Sequence, residues 1–523
     1  MPINPPFSGF ARPATMVPAA CYLYFLARYQ SAPYAACGAV LLGGFYLRYI
    51  FWDRKPMPAL GFAAVVLSGL GLPVLGLWQY FEARDLGDLD MSAYVCALWN
   101  LRHGYFHYSF HGVNLFGVHS QYSALLWIPV HALSGETGLK LGKALCLLAA
   151  VLFLVRRYLG NEKEKEKEKE KEKEGALWAA AAVLLSPPIA SQFFFGFHPE
   201  FLAAPVLVLA MAAYRGERLE YFLLCTAFLT WTKEPLALAV GGLLLLALIE
   251  KRSWTWILLP GLLCCAQMAV YWFLILPHFA PQGNLLGGFM PSSLADVLRA
   301  WFRPNTLFYA AHIYLPFLPL ALAMPRRYLI LPLPLMIFYA AFPDTLFTVM
   351  WPNYGFPLAI LCAGSLALQG GLKKGLREQP SLPEGRILMA CAVTSLLCYP
   401  LWREVLTFPR GDVTRARELL DLRSHIPDSA SVLINAPSVS RFAARREIGL
   451  WGESSTWGKR IKPLEAYDYV VADAEFHPYW LVDAEDLRSG LAALAASPRW
   501  SKEYGHDGLF LYRRTGGTPR AAP

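Results

Sequence analysis

From Trp254 to Ser293 the chain contains no Asp, Glu, Lys or Arg. A helix crosses the hydrocarbon core of a bilayer with roughly 20 apolar residues, and this run exceeds that length. The composition follows suit. Only 16% of the 523 residues are charged and 56% are hydrophobic, against about 25% charged in soluble domains. Soluble-globular and disordered classes are thereby set aside, and the chain reads as an all-α polytopic membrane protein.

Apolar segments able to cross run near residues 14 to 29, 34 to 51, 57 to 80, 139 to 157, 176 to 192, 200 to 214, 220 to 232, 235 to 250, 255 to 276, 306 to 324, 327 to 344, 355 to 369 and 385 to 402. That makes about thirteen transmembrane helices by the length criterion. Cytoplasmic loops collect Lys and Arg. If the spans alternate, Arg54 and Lys55, Arg156 and Arg157, Arg215 and Arg218, Lys251 and Arg252, Arg326 and Arg327, and Lys373, Lys374 and Arg377 share one side. That side is expected to be the cytoplasm, and it holds the N-terminus. Met1 to Pro18 has one Arg and no small-residue cleavage pattern, so an uncleaved first span is expected. The loop from Phe81 to Gly138, the turn from Phe195 to Glu200, the loop from Pro277 to Pro304 and everything after Trp402 then lie outside a cell (inner) membrane.

The net charge of +9 is accounted for by this topology, and no nucleic-acid partner is expected. Nine of the ten cysteines sit in apolar segments and none follows Cys398, so neither a disulfide framework nor a zinc spacing is visible. Residues Glu162 to Glu174 alternate Glu and Lys. With no apolar face, this stretch reads as a solvated loop or a short charged helix.

The chain divides into a multi-span region, 1–402, with the outer loop 81–138, and a small α/β extracytoplasmic domain, 403–523. In the latter, residues 411 to 425 have helical spacing. Ser431 to Asn435, Tyr467 to Ala472 and Gly508 to Tyr512 read as strands, and Asp483 to Ala496 as a helix. Roughly 110 residues is an ordinary domain size.

Candidate chemistry gathers in the outer segments. Asp85, Asp88 and Asp90 open the first loop, either as a hydrated acidic turn or as carboxylates for general-base work or for oxygen ligation of a divalent cation. The stretch Asp90 to Gly104 places Tyr94, Ala97, Leu98 and Leu101 at helical spacing. An amphipathic helix lying on the outer membrane surface is expected, with Asp90 at its N-terminal end, where the helix dipole favours an anion. His103, His107, His111 and His119 follow. Their spacings fit no common metal site, and His119 is the candidate for touching a phosphate or shuttling a proton. Next come His198-Pro199-Glu200 at the entry to a span and Thr232-Lys233-Glu234-Pro235 between two apolar halves. Ionisable groups at such places usually face a polar cavity. Lys233 reads either as half of a self-neutralising turn or as an outward cation for an anionic headgroup, with Glu234 as its partner. Trp351 to Pro357 offers lining only.

Asp90 to Gly104, His119 with the apolar run to Val130, His198-Pro199-Glu200, Lys233-Glu234, and the ending Tyr467-Asp468-Tyr469-Val470 and His506-Asp507-Gly508-Leu509-Phe510-Leu511 together resemble the predicted membrane proteins grouped as domain of unknown function 2079. That family is similar to the GT-C superfamily of multi-span glycosyltransferases. The resemblance runs from about Phe81 to Arg514 and rests on the order and separation of short motifs. It implies an inverting transferase that takes a sugar from a polyprenyl-phosphate carrier on the outer face of the membrane. Asp90 would deprotonate the acceptor or, with Asp88, bind a divalent cation (Mg or Mn). Lys233 and His198 would meet the donor phosphate, with His119, Glu200 and Glu234 in the binding site. Two features depart from the family: three spans rather than one precede the acidic loop, and the Glu-Lys run is peculiar to this chain.

The expected function is therefore a GT-C-like membrane glycosyltransferase, whose partners are membrane lipids, a polyprenyl-phosphate sugar donor and an acceptor of unknown identity. Two other readings remain open at this stage. One is a lipid or solute transporter or flippase, since broken spans with ionisable junctions fit that class too. The other is a scaffold whose outer domain binds an envelope protein.

Overall fold

The computed structural model describes residues 58–81, 88–105, 109–110, 114–158, 176–280, 293–303, 315–319, 326–341, 357, 360–361, 384–397, 413–435, 439–451, 464–474 and 484–516. The expected spans at 14 to 29 and 34 to 51, the Glu-Lys run, His107, His111 and residues 351–356 lie outside them.

Among the described residues three helices are long and apolar enough to cross a membrane: Gly61–Trp78, Tyr122–Arg156 and Thr255–Phe279. Ala176–Leu184 and Pro188–Phe194 make a fourth if the pair, bent by 59°, counts as one span. The bend falls at Pro187 and Pro188, which cannot donate the amide hydrogens of a continuing helix. Leu219–Thr232, Leu236–Ile249, Arg327–Ala340 and Leu388–Leu397 coincide with other expected segments but are shorter apolar helices. Full span length is therefore shown by only part of the thirteen expected segments. The helix Ile128–Tyr158 breaks at Gly135, whose φ of 56° and ψ of −148° are open to glycine alone at little cost. Gly242 brings Leu236–Ile249 against the Leu331 carbonyl, where a Cβ would stand 2.0 Å from the oxygen.

One apolar core unites these helices, from Leu72 through Trp178, Leu207, Leu243 and Leu331 to Ala392. A second core is shared differently. It joins Met91, Tyr94, Val95 and Leu98 of the helix Asp88–Arg102, with Trp127 and Phe197, to Leu419, Val432, Ile448 and Leu511 of the C-terminal part. That helix buries Met91, Val95, Cys96, Ala97 and Asn100 completely, so it has apolar contacts nearly all round. A helix of this kind sits inside a protein. The expected surface-lying position is corrected: the helix is packed between the apolar body and the C-terminal sheet.

The sheet has six strands: β1 (Ser109–Phe110), β2 (Val432–Asn435), β3 (Glu447–Leu450), β4 (Tyr469–Asp473), β5 (Trp500–His506) and β6 (Leu509–Arg514). Their spatial order is β1-β3-β2-β4-β6-β5. The first four are parallel, with Val432 opposite Tyr469 and Ile448, and β6 and β5 are antiparallel. β2 and β4 are buried along their whole length, as parallel strands covered on both faces must be. The β5–β6 hairpin turns at Asp507 and Gly508, both at positive φ, the geometry that Asp-Gly favours. The helices Val413–Ser424 and Ala484–Ala496 pack on the sheet through Leu419 and Leu487. The edge strand β1 comes from the segment 81–138, and its pairing with β3 joins Ser109 and Phe110 to the α/β part.

Candidate functional site

Asp90 lies in the first turn of Asp88–Arg102, where the helix dipole favours its charge. Its carboxylate points at the imidazole of His198, with Oδ2 3.5 Å from Nε2. His198 follows the buried aromatic stretch Phe193–Phe197 in an extended conformation, and Pro199 starts the 3-10 turn Pro199–Leu202, a position for which its fixed φ suits it. Two side chains hold the backbone from Phe195 to Pro199. The ammonium of Lys143 donates to the carbonyl oxygens of Phe195 and Gly196, and the indole of Trp127 donates to the Pro199 carbonyl at 3.1 Å. The Tyr94 ring lies edge-on to the imidazole, with centroids 5.2 Å apart.

Beyond His198 the chain of charges continues. His198 Nδ1 is 3.4 Å from Glu200 Oε1, and the same oxygen accepts from Lys233 Nζ at 2.6 Å. Gln121 Nε2 reaches Glu200 Oε2 at 3.3 Å and the Tyr94 hydroxyl at 2.8 Å. The result is an alternating series, Asp90, His198, Glu200, Lys233. Its last three side chains are 3% exposed, whereas that of Asp90 is 41% exposed. Burial alone would disfavour an imidazolium. The carboxylates of Glu200 and Asp90 outweigh it and raise the His198 pKa above its ordinary value.

Lys233 ends the helix Leu219–Thr232 with φ −170° and ψ 143°, and Pro235 precedes the next helix. In extended backbone successive side chains point to opposite sides. Lys233 accordingly turns to Glu200, while Glu234 meets His119 Nδ1 at 3.1 Å and accepts from the Ser120 amide. The expected Lys233–Glu234 pairing is thus replaced by two separate pairs. Burial pushes the Glu234 carboxyl up, but His119 and the surrounding donors hold it below its ordinary value.

Asp90, His119, His198, Glu200, Lys233 and Glu234, all expected from the sequence, are therefore brought together from four separate segments. The Asp88 side chain lies outside the described residues. His103 is elsewhere, exposed and packed against Trp99 with ring centroids 4.0 Å apart and planes tilted by 31°. Among the described residues no three His, Cys, Asp or Glu side chains form a group that could hold a metal ion. Tyr94, Gln121, Trp127 and Lys143 were missed. Lys143 carried a signal, a lysine inside an apolar segment; the other three carried none.

No curated protein matches the chain in sequence. Among solved structures it is similar to ArnT from Cupriavidus metallidurans bound to undecaprenyl phosphate, with a TM-score of 0.53 and 14% identity over 86% of this chain and 97% of that one. The apo state of ArnT gives 0.48 and 13% over 84% and 96%. The apo oligosaccharyltransferase of Archaeoglobus fulgidus gives 0.38 and 14% over 89% and 75%. The first of these is a likeness of fold across nearly the whole of both chains. A family model described as a predicted membrane protein, domain of unknown function 2079, matches residues 84–511. That stretch includes every residue of the charged cluster, β1 to β5 and the first half of β6, and the chain belongs to this family.

Proposed function

We propose that this chain is a GT-C-like membrane glycosyltransferase that moves a sugar from a polyprenyl-phosphate donor to an acceptor on the outer face of a cell membrane. The observation that carries the reading is the position of Asp90: a half-exposed carboxylate at the end of a buried, charge-alternating series. The fold likeness to a protein solved with undecaprenyl phosphate supports the class of donor.

In the reaction, Asp90 takes the proton from an acceptor hydroxyl as its oxygen bonds to the anomeric carbon. The bond from that carbon to the phosphate oxygen breaks on the opposite side. Polyprenyl phosphate leaves with the electron pair, and the sugar configuration inverts. A positioned base contributes 10²- to 10⁴-fold to such a step. Negative charge grows on the phosphate, so a nearby donor group stabilises it. His119, partly exposed beside Glu234, is assigned that contact.

The test is transfer by the full chain in lipid nanodiscs from a polyprenyl-phosphate sugar. Asp90→Asn should lower kcat by at least about 10²-fold while polyprenyl-phosphate binding persists. Normal transfer by that variant removes Asp90 as base. A wild-type chain that moves the lipid across the bilayer without transferring sugar replaces the enzyme by a flippase.

A further inference from the structure

Lys233 sits where a cation for the donor phosphate is expected, yet its ammonium is 2.6 Å from Glu200 Oε1 and its side chain is 3% exposed. Glu200 is held on both oxygens. Oε1 faces Lys233 and His198 Nδ1, and Oε2 accepts from Gln121. His198 is fixed in turn, with one ring nitrogen towards Glu200 and the other towards Asp90. A phosphate could reach Lys233 only by opening this buried pair, and the opened Glu200 would become an uncompensated buried carboxylate, the costly way to break such a pair.

We infer that Lys233 and Glu200 are positioning residues rather than donor ligands: together they hold the His198 ring so that it orients the Asp90 carboxylate. This role presupposes the transfer reaction proposed above. The geometry has the logic of a base oriented through an imidazole by a buried carboxylate, with a buried lysine added to neutralise that carboxylate. Gln121 belongs to the same frame. It ties Glu200 to Tyr94, on the same helix as Asp90 and four residues away. Glu200 is thus joined to the helix of Asp90 twice, once through the His198 imidazole and once through the Gln121 amide.

Lys233→Met, Glu200→Gln and the double variant discriminate the two roles in the full chain. Replacing both members of a buried pair is often neutral for folding, whereas removing one is not, so the double variant remains testable if a single one fails to accumulate. The double variant is expected to bind undecaprenyl phosphate within about threefold of wild type while kcat falls about 10²-fold, the lower end of what a positioned base supplies. Where the single variants fold, their losses should not multiply, because both break the same frame. A tenfold or greater loss of undecaprenyl phosphate binding in Lys233→Met or in the double variant, with Glu200→Gln unaffected, overturns the inference and makes Lys233 a phosphate ligand. If the wild type transfers no sugar from any polyprenyl-phosphate donor, the transferase reading falls separately. The lipid-binding comparison, which needs no turnover, still decides whether Lys233 touches the phosphate.

Discussion

Asn100 is the side chain that ties the Asp90 helix to the C-terminal sheet, and its replacement tests how firmly the two are joined. It is fully buried. Its amide donates to the carbonyl of Cys96 at 2.9 Å and to those of Arg445 at 3.1 Å and Arg446 at 3.3 Å. The latter two residues lead directly into β3. Asn100→Leu keeps the size and removes the donors, leaving the Arg445 and Arg446 carbonyls short of a partner at about 1–3 kcal/mol each. Arg445 keeps a weak contact from the Cys96 thiol at 3.4 Å, and the Asn100 Oδ1, itself buried without a partner, is no longer carried as a cost. The net loss is about 2–4 kcal/mol of local stability. At about 1.4 kcal/mol per factor of ten, amides of residues 439–450 should exchange roughly 30- to 1000-fold faster. Hydrogen exchange by mass spectrometry on the full chain in detergent reads this directly, since local opening reports local free energy. Wild-type exchange in β3, with acceleration confined to Asp88–Arg102, refutes the reasoning.

Lys143→Met removes the ammonium that holds the Phe195 and Gly196 carbonyls. Exchange at residues 195–198 should rise and kcat fall, with undecaprenyl phosphate binding retained; unchanged turnover would leave Lys143 with a packing role. His198 carries a pKa raised in the folded state by Glu200 and Asp90 against the pull of burial. Its contribution to stability is fully present below its unfolded value of about 6.5 and is lost as pH rises through the higher folded value. Thermal scans across that range should show wild type weakening on the alkaline side and His198→Gln lacking that slope, and parallel curves would contradict it. A divalent cation at Asp88 and Asp90 predicts that EDTA stops transfer and that Mg or Mn restores it, whereas EDTA-resistant transfer removes the cation from the reaction. Deleting residues 403–523 exposes the apolar side chains that Asp88–Arg102 buries against the sheet, so the truncated chain should fail to accumulate. A well-folded truncated protein would show that the two parts stand alone.

Much of the site was legible because charge is expensive at the ends of apolar helices. His198, Glu200, Lys233 and Glu234 stand out on that ground, whereas Asp90 is marked by the acidic loop and its place at a helix start. Their pairing did not follow from order along the chain. Lys233 and Glu234 are neighbours, yet the extended backbone at Lys233 sends them to different partners, and no local pattern announces an ion pair with Glu200 more than thirty residues earlier. The helix Asp88–Arg102 illustrates the opposite failure. Four apolar positions at helical spacing suggest one greasy stripe, to which Met91 adds, but Ser92, Cys96 and Asn100 away from that stripe are fully buried as well, and a helix buried on nearly every side is an internal one. In the sheet, β2, β4 and β6 were visible as apolar runs. β5 is largely exposed and carried no such run, although Asp507-Gly508 marks the turn that pairs it with β6. β1 has two residues, and its pairing with β3 is set by the tertiary fold alone.

Asp90 is fixed from two directions that belong to different parts of the chain. From the apolar body come Lys233, Glu200 and the backbone braced by Lys143, which set the imidazole against its carboxylate. From the C-terminal sheet comes the grip of Arg445 and Arg446 on Asn100, ten residues along the same helix. Ten residues of α-helix span about 15 Å, and a rigid rod of that length turns a shift at one end into a misplacement at the other. A misplacement of about 1 Å can cost 10²-fold in rate. On the transferase reading proposed above, the α/β part would influence chemistry without touching substrate, in keeping with its shared core with the Asp90 helix. The two directions are separable by experiment: Asn100→Leu should lower turnover while leaving the Lys233–Glu200 pair intact, and Lys233→Met with Glu200→Gln should lower turnover while leaving β3 exchange intact. If both changes disturb both readouts equally, the helix and the charge series are one cooperative unit, and no separate orienting role survives for either.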